Sequence, residues 1–293
     1  MDKNLWQTIG SLAIIGIVTA AINFIAHTRG YYIIAPEQHP SKKRSFPLSI
    51  IFLSFVIFFG VTLLLSPAIS SLFTKLISSM KLHEVIPKNI ILNSSHSIAL
   101  FLAIFLIFII LTSHKKSSLN STLKDYSYEN CQPITMDALL GIITWLIAFP
   151  LVSFVSQFVE LIVFTIFNDV GFQQNAIIYL KQMKGFPIAL VFTTFTIVFL
   201  APLSEELIFR GLLQTWFSKR MGRLKAIALT SIIFAAIHFS NSHGLGNISL
   251  LASLFTLSCY LGFIYERQRS LISPILLHAT FNSISVIRVL VGG

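Results

Sequence analysis

Long apolar runs recur along the 293-residue chain and constrain its fold more than any other feature. A run of about 20 residues crosses roughly 30 Å of hydrocarbon as a helix. The runs are continuous instead of alternating with polar residues, which argues against a transmembrane β-barrel. We therefore predict an all-α, polytopic transmembrane helix bundle of about eight spans. The runs lie at 5–26, 47–73, 96–112, 136–158, 186–202, 226–239, 248–265 and 271–291.

The composition leads to the same class of protein. Hydrophobic residues make up 55% of the chain and charged residues 11%, with a mean hydropathy of +0.81. A soluble domain carries roughly 25% charged residues. The net charge is +10. In a membrane protein, basic residues set the orientation of the spans and contact anionic lipid headgroups, so we expect a lipid bilayer and no nucleic acid as partner. The two cysteines, Cys131 and Cys259, are too few for a disulfide framework or a thiolate zinc site.

The basic residues predict the topology. They are concentrated in the connections that follow odd-numbered spans, and the positive-inside rule places those connections in the cytoplasm and both termini outside. The first run is too long for a removed signal peptide and lacks a small-residue cleavage site. We expect a multi-pass protein of the bacterial cytoplasmic (inner) membrane. The basic residues in question are Lys42, Lys43, Arg44, Lys115, Lys116, Lys219, Arg220, Arg223, Lys225, Arg267 and Arg269.

A polar stretch divides the chain. Residues 113–135 are rich in serine, asparagine and lysine and interrupt the apolar pattern after the third run. We therefore predict an N-terminal part, 1–135, which consists of three spans and a polar linker. The second predicted part, 136–293, is the functional core.

The first cluster of chemical interest directly continues the run at 186–202. Ionisable groups within hydrocarbon are costly, so they are candidates for function. Glu206 and Arg210 are four residues apart and can form an ion pair on a helix, whereas Glu205 is turned away by about 100°. We expect one structural and one reactive carboxylate. The alternative is a surface helix over 203–218 whose charges face water.

Two further features fall in later runs. His238 ends an apolar run, four residues after Phe234. His278 and Asn282 lie inside the last run and share one helical face. An interfacial histidine is the alternative for the first feature, and hydrogen bonding between helices is the alternative for the second.

These residues can converge on one chamber within the membrane. If Arg220–Arg223 forms the turn of a helical hairpin, Glu205 and His238 each lie about 16 residues from it, roughly 20–25 Å along their helices. In such a chamber a carboxylate can take a proton from water, His238 can relay it, and His278 and Asn282 can donate hydrogen bonds to an oxyanion. Zinc held by Glu205, His238 and His278 is equally compatible with the spacing.

The three motifs together resemble a known family. Glu205-Glu206-x-x-x-Arg210, Phe234-x-x-x-His238 and His278-x-x-x-Asn282 follow one another on successive hydrophobic segments. This ordered set resembles the CPBP family over roughly residues 140–290. That family contains the type II CAAX prenyl endopeptidases and bacteriocin-processing or self-immunity proteins.

The resemblance implies an intramembrane endopeptidase that hydrolyses a membrane-associated or lipid-modified peptide or protein. By the family pattern, Glu205 would activate water with His238, Glu206 would be held by Arg210, and His278 with Asn282 would form the oxyanion hole. Phe234 would be a supporting residue. The sequence contains no HExxH helix, so we prefer the glutamate mechanism without a cofactor to a zinc-dependent one.

Other classes of function remain as alternatives. One is a non-enzymatic peptide-binding or self-immunity protein. Another is a proton-coupled transporter, which the intramembrane charges would allow, although the sequence has no inverted repeat.

Overall fold

The computed structural model describes residues 3–34, 46–80, 86–126, 131–167, 175–183 and 185–291. Helices form most of these ranges. They are α1 (Lys3–Thr28), α2 (Leu48–Ser79), α3 (Lys88–Leu123), α4 (Ile134–Phe167), α5 (Asn175–Gln182), α6 (Pro187–Met221), α7 (Arg223–Ala236), α8 (Gly246–Gln268) and α9 (Ile272–Val291). A short 3-10 turn at Asn241–His243 precedes α8.

The all-α prediction is confirmed, because the described ranges contain no β-strand beyond one isolated bridge between Lys124 and Ser270. Seven helices, all except α5 and α7, are long and apolar enough to cross a membrane. The run at 226–239 corresponds to α7, whose 14 residues fall short of the length that a bilayer requires. In contrast, α3 extends beyond its run into the predicted linker and is interrupted by a non-helical residue, Lys115.

The chain forms two compact units, and the divisions fall inside α6 and α9. Unit one comprises 1–41, 124–173 and 217–277, and unit two comprises 42–123, 174–216 and 278–293. The predicted functional boundary at 135/136 stays a prediction.

Hydroxyl groups tie α1 into unit one, where α1 packs on α4 and α4 packs on α8. Asn23 Oδ1 accepts hydrogen bonds from the hydroxyls of Tyr260, at 2.8 Å, and Tyr32. The hydroxyls of Tyr31 and Thr144 are hydrogen-bonded at 2.7 Å. Burial raises the pKa of Tyr31 to about 12, and the hydrogen bond to Thr144 only partly opposes this. Tyr31 therefore stays a neutral hydroxyl.

A buried polar cluster in unit one fixes the middle of the predicted linker, at Lys124 and Asp125. Lys124 forms a buried ion pair with Asp137, at the start of α4. The Ser273 hydroxyl donates to the Asp137 carbonyl at 2.8 Å, and the Asp125 amide donates to the Arg269 carbonyl at 2.9 Å. The middle of the polar segment is thus anchored to the connection between α8 and α9.

Unit two contains α2, α3, α5, α6 up to Trp216 and the C-terminal part of α9. Phe55 of α2 meets Phe209 of α6 edge to face, with ring centroids 5.5 Å apart. A buried apolar cluster joins α5, α6 and α9, and this packing sets α9 against the segment of α6 that carries the glutamates. Its members are Leu180, Val198, Ala279, Val286 and Val289.

Candidate active site

The paired glutamates lie between two π-helical stretches of α6. The segment Ala201–Glu206 is α-helical, whereas Thr196–Leu200 before it and Leu207–Gln214 after it are π-helical. Pro202 lies in the first turn of the α-helical segment, where a missing N–H is tolerated. Turns of π-helix are rare in proteins overall, and those that occur often lie at functional sites. This local geometry therefore distinguishes residues 196–214 from the rest of a 35-residue helix.

Glu206 and Arg210 form the predicted ion pair. Arg210 donates from Nη1 to Glu206 Oε1 at 2.9 Å, and both side chains are fully buried. A buried pair of this kind does little for stability by itself, but loss of one partner is strongly destabilising because the other charge remains buried. The alternative of a surface helix over 203–218, with charges that face water, is therefore wrong for these two residues.

His278 of α9 contacts both glutamates. Its Nδ1 lies 2.8 Å from Glu206 Oε1, which is a hydrogen bond. Its Nε2 lies 3.9 Å from Glu205 Oε2, beyond direct hydrogen-bond distance. Glu205 is 17% exposed, in contrast to the fully buried Glu206. Of the two carboxylates, Glu205 is therefore the one that water or a substrate can reach.

Asn282 is anchored to α6 by a carbonyl that the helix itself leaves unused. The Ala201 amide bonds the Thr196 carbonyl, five residues back. The next amide in this π-helical pattern would belong to Pro202, which has no N–H. The Ile197 carbonyl therefore lacks that backbone donor and instead accepts a hydrogen bond from Asn282 Nδ2 at 2.8 Å. A proline three residues before the first motif thus leaves a carbonyl free to hold the asparagine of the third motif.

His238 belongs to unit one and follows the end of α7. Its Nδ1 lies 2.7 Å from the Phe234 carbonyl. A carbonyl can only accept, so Nδ1 carries the proton and Nε2 of the neutral ring presents a lone pair. The Phe234 ring is buried and packs against the imidazole with ring centroids 4.8 Å apart. The second motif therefore orients a histidine that can accept a proton at Nε2.

Sequence reasoning missed the residue that holds the loop after His238. Asn247, near the start of α8, accepts from the Ser240 amide at 3.1 Å. Its Nδ2 donates to the carbonyls of Ser240, at 2.7 Å, and Gly244, at 3.0 Å. The loop containing Gly244 is thereby closed on itself. The available signal in the sequence was an asparagine between two nearby glycines, Gly244 and Gly246, and the apolar run at 248–265.

The structure brings five predicted residues together in unit two: Glu205, Glu206, Arg210, His278 and Asn282 all lie on adjoining turns of α6 and α9. Phe234 and His238 lie in unit one, and their convergence with the glutamates stays a prediction. A break in the helix lies at the position predicted for the turn, because Gly222, with φ +83°, separates α6 from α7. The packing of these two helices as a hairpin stays a prediction.

Of the three residues predicted to form the alternative catalytic zinc site, Glu205 and His278 lie in unit two and His238 lies in unit one. Such sites use three protein ligands, whereas Glu206 Oε1 is already engaged by Arg210 and His278. Glu205 Oε2 and His278 Nε2 are two donors facing one another. Among the described residues, no group of three or more histidine, cysteine, aspartate or glutamate side chains is arranged to hold a metal ion.

Comparison with protein families adds an independent finding. Residues 187–284 match the model of the Rce1-like type II CAAX prenyl endopeptidases. The match covers 98 of the 293 residues, and this stretch is called the Rce1-like domain below because of that similarity. No curated protein and no solved structure gives a match.

All seven residues of the predicted motifs fall within the Rce1-like domain. The domain begins at the start of α6, so it is shorter at its N-terminus than the predicted resemblance over roughly 140–290. The seven apolar helices in the described part of the chain and this match together support a multi-pass integral membrane protein that is similar, over this domain, to a CAAX-type intramembrane protease family.

Proposed function

We propose that the protein is a glutamic-type intramembrane endopeptidase, with Glu205 as the residue that activates water. The observation that carries the proposal is the difference between the two glutamates. Glu206 is fully buried and paired with Arg210, whereas Glu205 is partly exposed and faces Nε2 of His278. Only Glu205 combines access for water with an acid–base partner.

In the proposed reaction, Glu205 takes a proton from water and the resulting hydroxide attacks the carbonyl carbon of the peptide bond. The C=O bond opens to an oxyanion as the new C–O bond forms. The carbon–nitrogen bond then breaks, and the amine leaves with the proton that the site has held. General-base catalysis of this kind contributes about 10²- to 10⁴-fold.

His238 supports the first proton transfer in this scheme. Its Nδ1–H is held by the Phe234 carbonyl, so Nε2 is the atom that can accept a proton. The scheme requires that His238 reach the water molecule beside Glu205.

Asn282 supplies an oxyanion donor in the proposal. One N–H of its side-chain amide is used by the Ile197 carbonyl. The amide has a second N–H, which is held in a fixed direction by the first bond. Donors of this type are effective because they are oriented before the charge develops. His278 is the second proposed donor.

The substrate class follows from the domain and from the membrane location of the helices. The matched family is named for endopeptidases of prenylated CAAX sequences, and we propose a membrane-associated or lipid-modified peptide or protein as the substrate. The proposed location is the bacterial cytoplasmic membrane.

The proposal is tested by comparing the membrane proteomes of cells that express the wild-type chain, Glu205→Gln or Glu160→Gln. Glu160 is an exposed carboxylate on α4 and serves as the matched control. Uncut proteins should accumulate with Glu205→Gln and not with the control. Identical proteomes for Glu205→Gln and the wild type would contradict an enzymatic role and favour peptide binding or self-immunity.

Cleavage by the purified protein then separates the two mechanisms. With a substrate identified above, we expect Glu205→Gln and His238→Gln each to lower the rate by at least about 10²-fold. Chelators should leave the wild-type rate unchanged. Loss of activity with a chelator, restored by added zinc, would support the zinc-dependent alternative.

A further inference from the structure

His278 lies between two carboxylates that differ in their surroundings. Nδ1 contacts Glu206 Oε1 at 2.8 Å, and Nε2 faces Glu205 Oε2 at 3.9 Å. Glu206 is fully buried and Glu205 is partly exposed. The imidazole therefore has one nitrogen directed to the protein interior and one directed to the candidate reacting centre.

Arg210 determines which nitrogen carries the proton. Its guanidinium is permanently charged and donates to the same oxygen, Glu206 Oε1, at 2.9 Å. A neighbouring cation favours the ionised carboxylate, and an ionised carboxylate only accepts hydrogen bonds. The contact with His278 must then be a donation from Nδ1–H to Oε1. In the neutral ring, Nε2 consequently has a lone pair.

We infer that Glu206 is a positioning residue, which holds the proton of His278 on Nδ1 and so makes Nε2 the atom that exchanges a proton beside Glu205. The inference rests on the proposed function and deepens it. Arg210, Glu206 and His278 form one chain of contacts that ends at the candidate base. The buried ion pair therefore acts on the chemistry through the imidazole.

Each proton can be followed through the proposed hydrolysis. In the proposed step, Glu205 removes the proton from water with the support of His238, and the proton passes on to His278 Nε2 once a side-chain movement closes the 3.9 Å gap between Nε2 and Glu205 Oε2. The resulting imidazolium donates Nε2–H to the oxyanion. When the C–N bond breaks, the amine takes this proton, and both Glu205 and His278 return to their starting states. Neutral His278 cannot donate from Nε2, so its role as an oxyanion donor depends on this transfer.

The competing interpretation is that Glu206 only neutralises Arg210. The two interpretations differ when both charges are removed. In serine proteases, replacement of the carboxylate that orients the catalytic histidine by its amide costs about 10⁴-fold in kcat through the wrong tautomer. A purely structural counter-ion has no such effect once its partner charge is also gone.

The direct test is nitrogen NMR of the protein labelled with ¹⁵N-histidine, in nanodiscs. The chain has eight histidines, and the His278→Gln variant identifies the signals of His278. We expect a protonated Nδ1 in the wild type and in Glu205→Gln, and loss of that preference in Glu206→Gln. An unprotonated Nδ1 in the wild type, or an unchanged tautomer in Glu206→Gln, would overturn the inference. This readout does not depend on proteolytic activity.

The kinetic test uses Glu206→Gln together with the double variant Glu206→Gln/Arg210→Gln. The double variant leaves no uncompensated buried charge, so it should recover folding if the single variant loses it. We expect kcat to stay about 10²- to 10⁴-fold below the wild type in the double variant. Recovery of wild-type kcat would show that Glu206 is only a counter-ion. If Glu205→Gln also retains full activity, it is the proposed function that fails.

Discussion

Asn282 donates a hydrogen bond from Nδ2 to the Ile197 carbonyl at 2.8 Å. The bond joins the last motif of the chain to the π-helical turn that precedes the first motif. Because Ile197 lies eight residues before Glu205 along α6, the amide and the carboxylate are carried by the same rigid pair of helices. The position of the Asn282 amide therefore depends on the position of the Glu205 carboxylate.

Replacement of Asn282 by alanine should lower kcat by about 10²- to 10³-fold, the usual cost of removing one oxyanion donor. KM should change little, because the donor acts mainly on the transition state. Ser285→Ala is the matched control, since Ser285 is an exposed residue on the same helix whose hydroxyl bonds only a local carbonyl. An equal loss of kcat in the two variants would contradict a specific role for Asn282.

Pro202→Ala should separate activity from stability. Alanine restores a backbone N–H that can bond an upstream carbonyl in α6, in competition with Asn282. We expect a protein at least as stable as the wild type, because alanine is favoured in helices, with cleavage slowed by about 10-fold through misplacement of the amide. Thermal unfolding and cleavage rates measured on the same preparation check both parts. Unchanged cleavage would mean that the Ile197 carbonyl does not need the proline.

Arg210→Met should destabilise the protein by about 3–5 kcal/mol, because it leaves the buried Glu206 carboxylate without its cationic partner. Arg288→Met, on an exposed position of α9, is the control and should change stability by less than about 0.5 kcal/mol. Unfolding in denaturant, followed by intrinsic fluorescence in nanodiscs, measures both. Equal stability of the two variants would show that the buried charge is compensated by other means.

Asn23→Ala should loosen α1 within unit one. The variant removes one acceptor that serves the hydroxyls of Tyr32 and Tyr260. Hydrogen bonds between membrane helices contribute about 0.6–2 kcal/mol each, so we expect a loss of roughly 1–3 kcal/mol. Thr28→Ala, which removes only a local hydrogen bond at the end of the same helix, should be close to neutral. Hydrogen exchange of α1 is the second readout, and it should increase only in Asn23→Ala.

The predicted helices were recoverable from the sequence because a membrane span is a local property. Length and continuous hydrophobicity suffice to identify it, since every backbone group is satisfied within the helix. The predictions were weakest at the ends of spans. Helix α3 runs from Lys88 to Leu123 and so extends well beyond its predicted apolar run at 96–112. The run at 226–239 corresponds to a helix of only 14 residues.

Pairing of Glu206 with Arg210 was also predictable, because both residues lie on one helix at a spacing of four. The contacts of His278 were not, since they join residues 72 positions apart and depend on the packing of α9 against α6. The same applies to Asn282 and Ile197, which are 85 positions apart. The sequence identifies these residues as candidates, but it does not show which atoms of the two residues are in contact.

By itself, the sequence determined the class of this protein and the identity of its candidate residues, because hydrophobic length and charge spacing act along the chain. Only the tertiary structure decided which of those residues are accessible and which atoms they contact. Burial separates Glu205 from Glu206, two adjacent carboxylates with the same chemistry, and the packing of α9 brings the two nitrogens of His278 to different partners. Solvent access and hydrogen-bond direction arise between helices, so no local pattern encodes them.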